Sequence, residues 1–310
     1  MRKPVLFLVG PTGSGKTQLS LCLAKRLRCE IISADSMLVY RGMDIGTAKP
    51  LPADRKKVFH DLVDIVSPRS SFSVHRHRKL VLKAIERILK RGRIPLVVGG
   101  SGLYVDALWK GLSPHPGGNS KLRKKLAQLA ERKGLEFVYE ELKRRDPLRA
   151  REIHPNDCQR ILRSLEIAKL SKKPASEWYR EKVSLEELGY SVRAFGITRD
   201  RFDLYERIDR RVGQMFRRGF LREVRRLERK GFSKTAGQAL GYREVLAHFK
   251  RGEGEVTPAL IQEIQQRTRQ FAKRQLTWFR REKKIQWVSW GEKESVASIC
   301  GKIVTEVNSW

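Results

Sequence analysis

Residues Gly10-Pro-Thr-Gly-Ser-Gly-Lys-Thr17 match the pattern G-x-x-x-x-G-K-[ST]. They stand between a continuous apolar run, Pro4 to Val9, and a segment from Gln18 to Leu27 whose apolar residues recur at helical spacing. A loop of this kind needs a strand to deliver it and a helix to receive it, so the junction commits the chain to an α/β fold. Gly10, Gly13 and Gly15, with Pro11, Thr12 and Ser14 between them, let successive N–H groups converge on phosphate oxygens. The helix that follows adds its positive dipole end, Lys16 supplies a point charge, and the Thr17 hydroxyl is a ligand for magnesium. The expected ligand is a di- or triphosphate.

Other apolar strands follow. Cys29-Glu-Ile-Ile-Ser-Ala34 leads to Asp35, and after a helix at about 76 to 91 the run Ile94 to Val98 enters Gly99-Gly-Ser-Gly102. Apolar runs without alternation are strands covered on both faces, and strands alternating with helices form a parallel sheet with its site at the carboxyl ends. From Ser113-Pro-His-Pro-Gly-Gly118 the pattern becomes helical for about 70 residues, until a strand at Val192 to Ile197. The predicted architecture is a P-loop parallel-sheet core, residues 1–112 with 189–310, carrying a helical insertion at 113–188. Its carboxyl-terminal part is helical, near 201–230, 235–250 and 257–281, followed by a short strand at 285–290 and a last helix near 292–307.

The 310 residues include 66 Lys and Arg against 34 Asp and Glu, a formal charge of +32. Residues 1–110 hold 21 basic and 8 acidic side chains, 111–190 hold 18 and 12, and 191–310 hold 27 and 14, so the excess belongs to folded sequence and not to a tail. Such an excess predicts a polyanionic partner whose phosphates replace counterions. Charge alone does not choose between DNA, RNA and a membrane surface. The run from Pro4 to Gly10 is far shorter than the roughly 20 residues that span a bilayer, and no small-residue cleavage site follows it, which argues against a transmembrane or secreted protein. Cys22, Cys29, Cys158 and Cys300 include no C-x-x-C pair and no finger-type histidine spacing. That usage fits reduced thiols in a cytoplasmic protein without a disulfide frame or structural zinc.

The fate of the bound phosphate is less constrained by the loop. An ordinary ATPase has an apolar strand ending in a magnesium-binding Asp, yet Ile94 to Val98 ends in Gly-Gly-Ser. The comparable acid is Asp35, at the end of the strand after the phosphate-loop helix. It can assist magnesium through water, take a proton from a nucleophile held over the phosphates, or serve only as a turn carboxylate.

Together these stretches carry a family resemblance. Besides the loop, they are Ser33-Ala-Asp-Ser-Met-Leu-Val-Tyr40, Met43-Asp-Ile-Gly-Thr-Ala-Lys-Pro50, Val97-Val-Gly-Gly-Ser-Gly-Leu-Tyr104 and Ile153-His-Pro-Asn-Asp157 with Gln159 to Arg163. Further along come Arg207-Ile-Asp-Arg-Arg211, Ala239-Leu-Gly-Tyr-Arg243 and Arg267-Thr-Arg-Gln-Phe-Ala-Lys-Arg-Gln-Leu-Thr-Trp-Phe-Arg280. The chain resembles the tRNA dimethylallyltransferases, also called isopentenyltransferases, which move a five-carbon prenyl group from dimethylallyl diphosphate to the exocyclic amine of the adenosine just 3′ of the anticodon. The resemblance implies that the loop holds the donor's diphosphate with Mg²⁺ and that pyrophosphate is the leaving group, which accounts for the missing ATPase acid.

Residue by residue, the resemblance assigns the catalytic base to Asp35 and further catalytic roles to Thr12 and Arg211. An adenine amine is a poor nucleophile, so a carboxylate must draw its proton as the carbon–nitrogen bond forms, while positive charge neutralises the departing diphosphate. The target base must leave the anticodon-loop stack. Contacts to the tRNA anticodon stem-loop are implied for Asp35, Ser36, Met37 and Leu38, and for Ser101, where the family usually has Thr. In the insertion they fall on Arg123, Gln159, Arg160, Ile161, Leu162 and Arg163, and later on Gln238, Ala239, Leu240, Gly241, Tyr242 and Arg243. The resemblance also implies a monomer without membrane association and, with no carboxyl-terminal zinc finger, the bacterial type.

Arg207, Arg211, Arg218, Arg222, Arg225 and Arg229 share one face if the helix runs unbroken through Gly219; apart from Arg211 they read as a solvated face. Asn156-Asp157 is placed to cap a helix whose Ile161, Leu165 and Ala168 face inward, leaving Gln159, Arg160 and Arg163 on the polar side. Phe271 and Trp278 read as core, and His154 as a turn residue. The rival functions are an adenylate isopentenyltransferase acting on free nucleotide, a P-loop small-molecule kinase using Asp35 as base, and a nucleotide-gated RNA-binding protein. The basic insertion favours RNA over a mononucleotide.

Overall fold

The apolar run at the amino end forms β1 (Lys3–Val9), buried from Val5 onward, in the computed structural model, which describes residues 3–309. It lies inside a six-stranded sheet with β2 (Cys29–Ser33), β3 (His60–Asp61), β4 (Ile94–Gly99), β5 (Tyr190–Thr198) and β6 (Ile285–Ser289), in the order β3-β2-β4-β1-β5-β6. Every pairing is parallel. Val9 sits level with Gly99 and Gly196, and Ser33 with Val98, so β1, β2, β4 and β5 end together and their outgoing loops share one edge.

Helices cover both faces. Those of the sheet's own unit begin with α1 (Lys16–Arg26), α2 (Pro52–Lys57), α3 (Val74–Lys90) and α4 (Gly102–Trp109); the next five, α5 (Ser120–Lys133), α6 (Leu135–Arg145), α7 (Pro147–Glu152), α8 (Cys158–Ser171) and α9 (Ala175–Arg180), belong to the insertion. After β5 come α10 (Arg201–Arg217), α11 (Phe220–Lys230), α12 (Tyr242–Lys250), α13 (Pro258–Phe279) and α14 (Val296–Asn308). One core joins Leu6 and Leu8 of the sheet to Leu19 and Leu23 of α1 and Ile299 and Ile303 of α14. Each such fully buried side chain contributes about 1.5–3 kcal/mol, so this core fastens the helix that follows the phosphate loop. A second core gathers Tyr40, Met43, Val212, Phe220 and Tyr242.

Lys110–Leu188 is a compact unit of its own, beginning three residues before the boundary read from sequence. Lys110 to Leu112 belong with it because Gly111, at φ +87, lies against the backbone of Val183, where a Cβ would collide. Its core is built from Leu126, Val138, Leu142, Ile153, Ile161 and Leu165.

The helix expected near 201–230 is two helices. Gly219 takes φ +91 between α10 and α11, which lets Phe220 turn in against Phe216 and Tyr242 at centroid distances of 5.6 and 5.1 Å. The single arginine face therefore does not exist: Arg207 and Arg211 lie on α10, whereas Arg222, Arg225 and Arg229 lie on α11. The helix expected from 235 starts as a 3₁₀ turn at Ala236–Gln238, and α12 begins only at Tyr242. β3, α2 and α4 have no counterpart in the sequence pattern.

Candidate active site

The phosphate loop leaves β1 with Gly10 at φ +147, Gly13 at +82 and Gly15 at +96. Space is as restrictive as conformation. A Cβ would come within 2.7 Å of Ile197 O at Gly10, 2.9 Å of Ile208 Cγ1 at Gly13 and 2.8 Å of the Trp290 ring at Gly15. The helices α3, α8, α10, α13 and α14 are capped by the side chains of Ser73, Asp157, Asp200, Thr257 and Ser295. α1, whose N-cap is Gly15, has no side-chain cap, as α2, α6, α9 and α11 also have none; what sets it apart is that the phosphate loop leads into it. Its first N–H groups need an acceptor from outside the chain, and an anion at the positive end of the helix meets that need.

Three of the loop's carbonyls accept from side chains. Arg199 Nε donates to Ser14 O at 3.0 Å, Arg207 Nε to Gly13 O at 3.0 Å, and Lys16 Nζ to Pro11 O at 2.6 Å. Arg199 is itself fixed by Asp203 at 2.8 Å and stacks on Trp290 at 4.1 Å. With these carbonyls bound, the peptide planes are held in place; the Thr12 N–H is taken by Gln275 Oε1 at 2.8 Å and the Ser14 N–H by Pro11 O at 3.4 Å. Burial lowers the Lys16 ammonium to a pKa of about 7, opposed by the charge of Asp35 and reinforced by that of Arg211.

Arg211 reaches the loop from α10. Its Nη1 donates to Thr12 Oγ1 at 3.1 Å and its Nη2 to Thr47 O at 3.5 Å. Burial lowers its pKa and Asp35 pulls the other way, so these three charged groups share one environment. Asp35 stands two residues past β2, with Oδ1 accepting the Met37 N–H at 2.8 Å and Oδ2 open among the described residues. Ser101 Oγ accepts the Ser36 N–H at 3.2 Å and lies 3.4 Å from Ser36 Oγ, while Leu38 O accepts the Asp64 N–H at 3.1 Å. Asp35, Ser36, Met37, Leu38 and Ser101 thus form one braced turn. Beneath it His77 Nε2 donates to Ser33 O at 2.9 Å, and burial pushes that imidazole down to about 4, so it stays neutral.

The Met43–Pro50 stretch is a loop wrapped on a buried carboxylate. Glu223 accepts N–H bonds from Asp44 (3.0 Å), Ile45 (2.9 Å) and Gly46 (3.2 Å) and the Tyr242 hydroxyl at 2.6 Å. Lys49, buried, donates to Tyr40 O at 2.8 Å, Asp44 at 2.6 Å and Asp64 at 2.5 Å. This loop presents the Thr47 carbonyl to Arg211.

Burial limits which side chains of the expected RNA contacts reach the surface. The side chains of Ala239 and Tyr242 lie in the core at 3% and 0% exposure, and Gly241 is enclosed beside Phe220, so within Gln238–Arg243 only Gln238, Leu240 and Arg243 offer surface. Arg243 pairs with Glu244 at 2.5 Å. In the insertion, Ile161 and Leu162 are core at 0% and 8%, and their helix is capped by Asp157 as the spacing implied. Gln159 and Arg160 are exposed, whereas Arg123 and Arg163 both pair with the buried Glu166, at 2.8 and 2.6 Å. His154 Nδ1 accepts the Asn156 N–H at 3.2 Å within its turn. Phe271 and Trp278 are only half buried, with Trp278 Nε1 donating to Asp106 at 2.9 Å.

Three residues of the site are hidden in the sequence. Arg207 reads there as part of a solvated face, Arg199 carries no signal, and Gln275 stands out only as a member of its motif. Gln275 Oε1 accepts the Thr12 N–H at 2.8 Å and its Nε2 donates to Gly100 O at 2.8 Å. Thr17 is exposed on the first turn of α1, and among the described residues no three His, Cys, Asp or Glu side chains converge. A lone hydroxyl beside a phosphate cradle suits magnesium that keeps waters and takes substrate oxygens.

The chain matches the IPP transferase family model over residues 38–282 and the isopentenyl transferase model over 3–62. It is 42% identical to the tRNA dimethylallyltransferase of Carboxydothermus hydrogenoformans, covering 99% of this chain and 98% of that one, and 41% identical to that of Bacillus subtilis, covering 97% and 98%. Among solved structures, the full-length tRNA isopentenylpyrophosphate transferase from Bacillus halodurans matches with a TM-score of 0.72 and 35% identity over 99% of this chain and 98% of that one. A eukaryotic dimethylallyltransferase captured acting on tRNA matches with a TM-score of 0.82 and 28% identity over 99% of this chain and 79% of its own.

Proposed function

Because the chain belongs to the IPP transferase family and is a prenyl-transferring enzyme of tRNA, we propose that the residues at its strand ends divide that reaction between a diphosphate cradle and a base. The enzyme transfers a dimethylallyl group from dimethylallyl diphosphate to the exocyclic amine of the adenosine immediately 3′ of the anticodon, releasing diphosphate. The observation that carries the division of labour is the approach of Arg211 to Thr12, in the field of Asp35, over a helix start that lacks a cap.

The uncapped N–H groups of α1, Lys16 and Arg211 bind the donor's diphosphate, and Thr12, held by Arg211, directs its hydroxyl at the oxygen that leaves. The adenine nitrogen forms its bond to the first carbon of the prenyl group as the carbon–oxygen bond breaks, and that electron pair goes to the diphosphate. The open Oδ2 of Asp35 takes the amine proton. Thr17 would hold a magnesium ion at the cradle, where it would supply further neutralisation of the diphosphate's charge. Ser36 and Ser101 brace the Asp35 turn, while Gln159 and Arg160 offer the insertion's exposed contacts to the anticodon stem-loop. The enzyme works as a cytoplasmic monomer. Among the described residues no helix is long and apolar enough to cross a membrane.

The test is incubation with labelled dimethylallyl diphosphate and either tRNA or AMP, beside an assay for ATP turnover. Label should enter tRNA at the adenosine following the anticodon. Label in AMP, or ATP hydrolysis without transfer, would refute the proposal.

A further inference from the structure

One peptide unit of the phosphate loop is pinned at both ends. The carbonyl of Pro11 accepts from Lys16 Nζ at 2.6 Å, and the N–H of Thr12, on the other side of the same planar group, donates to Gln275 Oε1 at 2.8 Å. The second half of the Gln275 amide is used as well, since Nε2 donates to Gly100 O at 2.8 Å. Gln275 is buried at 7% exposure on α13, and a Cβ at Gly100 would stand 2.5 Å from its Nε2, so only glycine there admits the amide. The contacts join residues 263 and 175 positions apart.

The two pins differ in what happens to them during the reaction. Lys16 is the loop's point charge for the diphosphate, and an ammonium drawn to a donor phosphate leaves the Pro11 carbonyl. At that moment the peptide keeps the short bond to Gln275 and, on its carbonyl, only the long 3.4 Å contact from the Ser14 N–H. If it rotated, Thr12 would swing with it, and the 3.1 Å contact between its hydroxyl and Arg211 would be lost. The amide is suited to the task because it satisfies a donor and an acceptor at once and carries no charge to repel a diphosphate.

We infer that Gln275 is a positioning residue of the reaction, which holds the Pro11–Thr12 peptide, and through it the Thr12 hydroxyl and Arg211, in place while Lys16 moves to the diphosphate. This rests on the proposed use of the loop as the donor's diphosphate site. It is separate from the helical packing role of α13, because Gln275 reaches the loop through its side-chain amide alone.

The experiment compares the intact enzyme with Gln275→Met, Thr12→Val and the double variant, reading kcat, the KM for donor, tRNA affinity and melting temperature. Gln275→Met keeps the volume and helix propensity while removing both hydrogen bonds. Its kcat should fall about 10- to 100-fold, as for a small misplacement of a catalytic group, with tRNA affinity unchanged. Because Gln275 acts through Thr12, the double variant should be no slower than the slower single variant. A Gln275→Met enzyme with intact kcat would overturn the inference, as would single effects that multiply in the double variant. Should Gln275→Met melt far below the parent, Gln275→Glu serves instead. It keeps an acceptor for Thr12 N–H, should retain tRNA affinity and should raise the donor KM by at least 10-fold through repulsion; an unchanged donor KM would count against the inference. An intact enzyme that did not prenylate tRNA would instead defeat the functional proposal, whatever the variants did.

Discussion

Replacing Lys16 by Met should make the ligand-free enzyme more stable while destroying its use of the donor. Lys16 titrates at 10.5 in an unfolded chain and at about 7 in the folded one, where burial removes water from the ammonium faster than Asp35 compensates. At 1.36 kcal/mol per unit, carrying the amine into the fold at pH 7 costs about 4 kcal/mol relative to a group that never ionises. Methionine loses the bond to Pro11 O, worth about 1 kcal/mol, and leaves that carbonyl with only the 3.4 Å contact from the Ser14 N–H. The net expectation is a gain of about 2–3 kcal/mol, or roughly 3–5 °C for a chain of this length. Between pH 7 and 10.5 the unfolded state holds more protons at this position than the folded state, so the parent's stability rises with pH. The penalty is complete below pH 7 and has vanished above 10.5. Thermal melts of both proteins from pH 6.5 to 10 should therefore show the Met variant ahead by most at the acid end and level at the alkaline end. A Met variant that melts lower at pH 7, or a gap independent of pH, would refute the picture of a desolvated lysine poised for an anion.

Asp35→Asn should leave tRNA binding nearly unchanged and cut transfer by about 10² or more, measured by single-turnover incorporation of label; wild-type turnover would remove Asp35 as base. Arg211→Ala should raise the donor KM and lower kcat, with tRNA affinity within twofold of the parent, as read by filter binding; loss of tRNA affinity with donor affinity kept would move Arg211 out of the diphosphate site. Replacing residues 117–184 by a short Gly/Ser linker should leave donor binding intact, because the insertion has a core of its own around Val138, Leu142 and Ile161. In the same deletion variant tRNA affinity should fall and its salt dependence become shallower, and an affinity equal to the parent's would show that the insertion does not bind RNA.

The elements legible in the sequence are those whose cause is local. β1, the loop and α1 follow from an apolar run, three glycines and a helical period within about 25 residues. The elements missed have causes elsewhere. α4 is buried over Tyr104, Val105, Ala107, Leu108 and Trp109, so nearly all of its faces are apolar and no period shows. The break at Gly219 is not compelled by the glycine, which a continuous helix tolerates at about 1 kcal/mol; it follows from Phe220 packing against Tyr242, 22 residues on. Likewise Ile161, Leu162 and Tyr242 lie within stretches matched to RNA recognition, yet each faces inward, because a helix that shows one side to RNA must bury the other.

Gly99-Gly-Ser-Gly102 belongs to the site for a reason that its sequence does not show. After a strand such glycines suggest a backbone approaching a ligand. Here each makes room for protein. A Cβ at Gly99 would collide with the Ala34 carbonyl just before Asp35, one at Gly100 would stand 2.5 Å from Gln275, and one at Gly102 would stand 2.5 Å from Trp278. The hydroxyl between them, Ser101, braces the Ser36 turn. The stretch is a socket into which α13 inserts Gln275 and Trp278 while the other side holds the Asp35 turn. The base and the phosphate loop are therefore positioned by one corner, one through Ser101 and the other through Gln275. A side chain of α13 reaches the diphosphate end of the site only because Gly100 lacks its own, and neither local periodicity nor either motif alone contains that pairing.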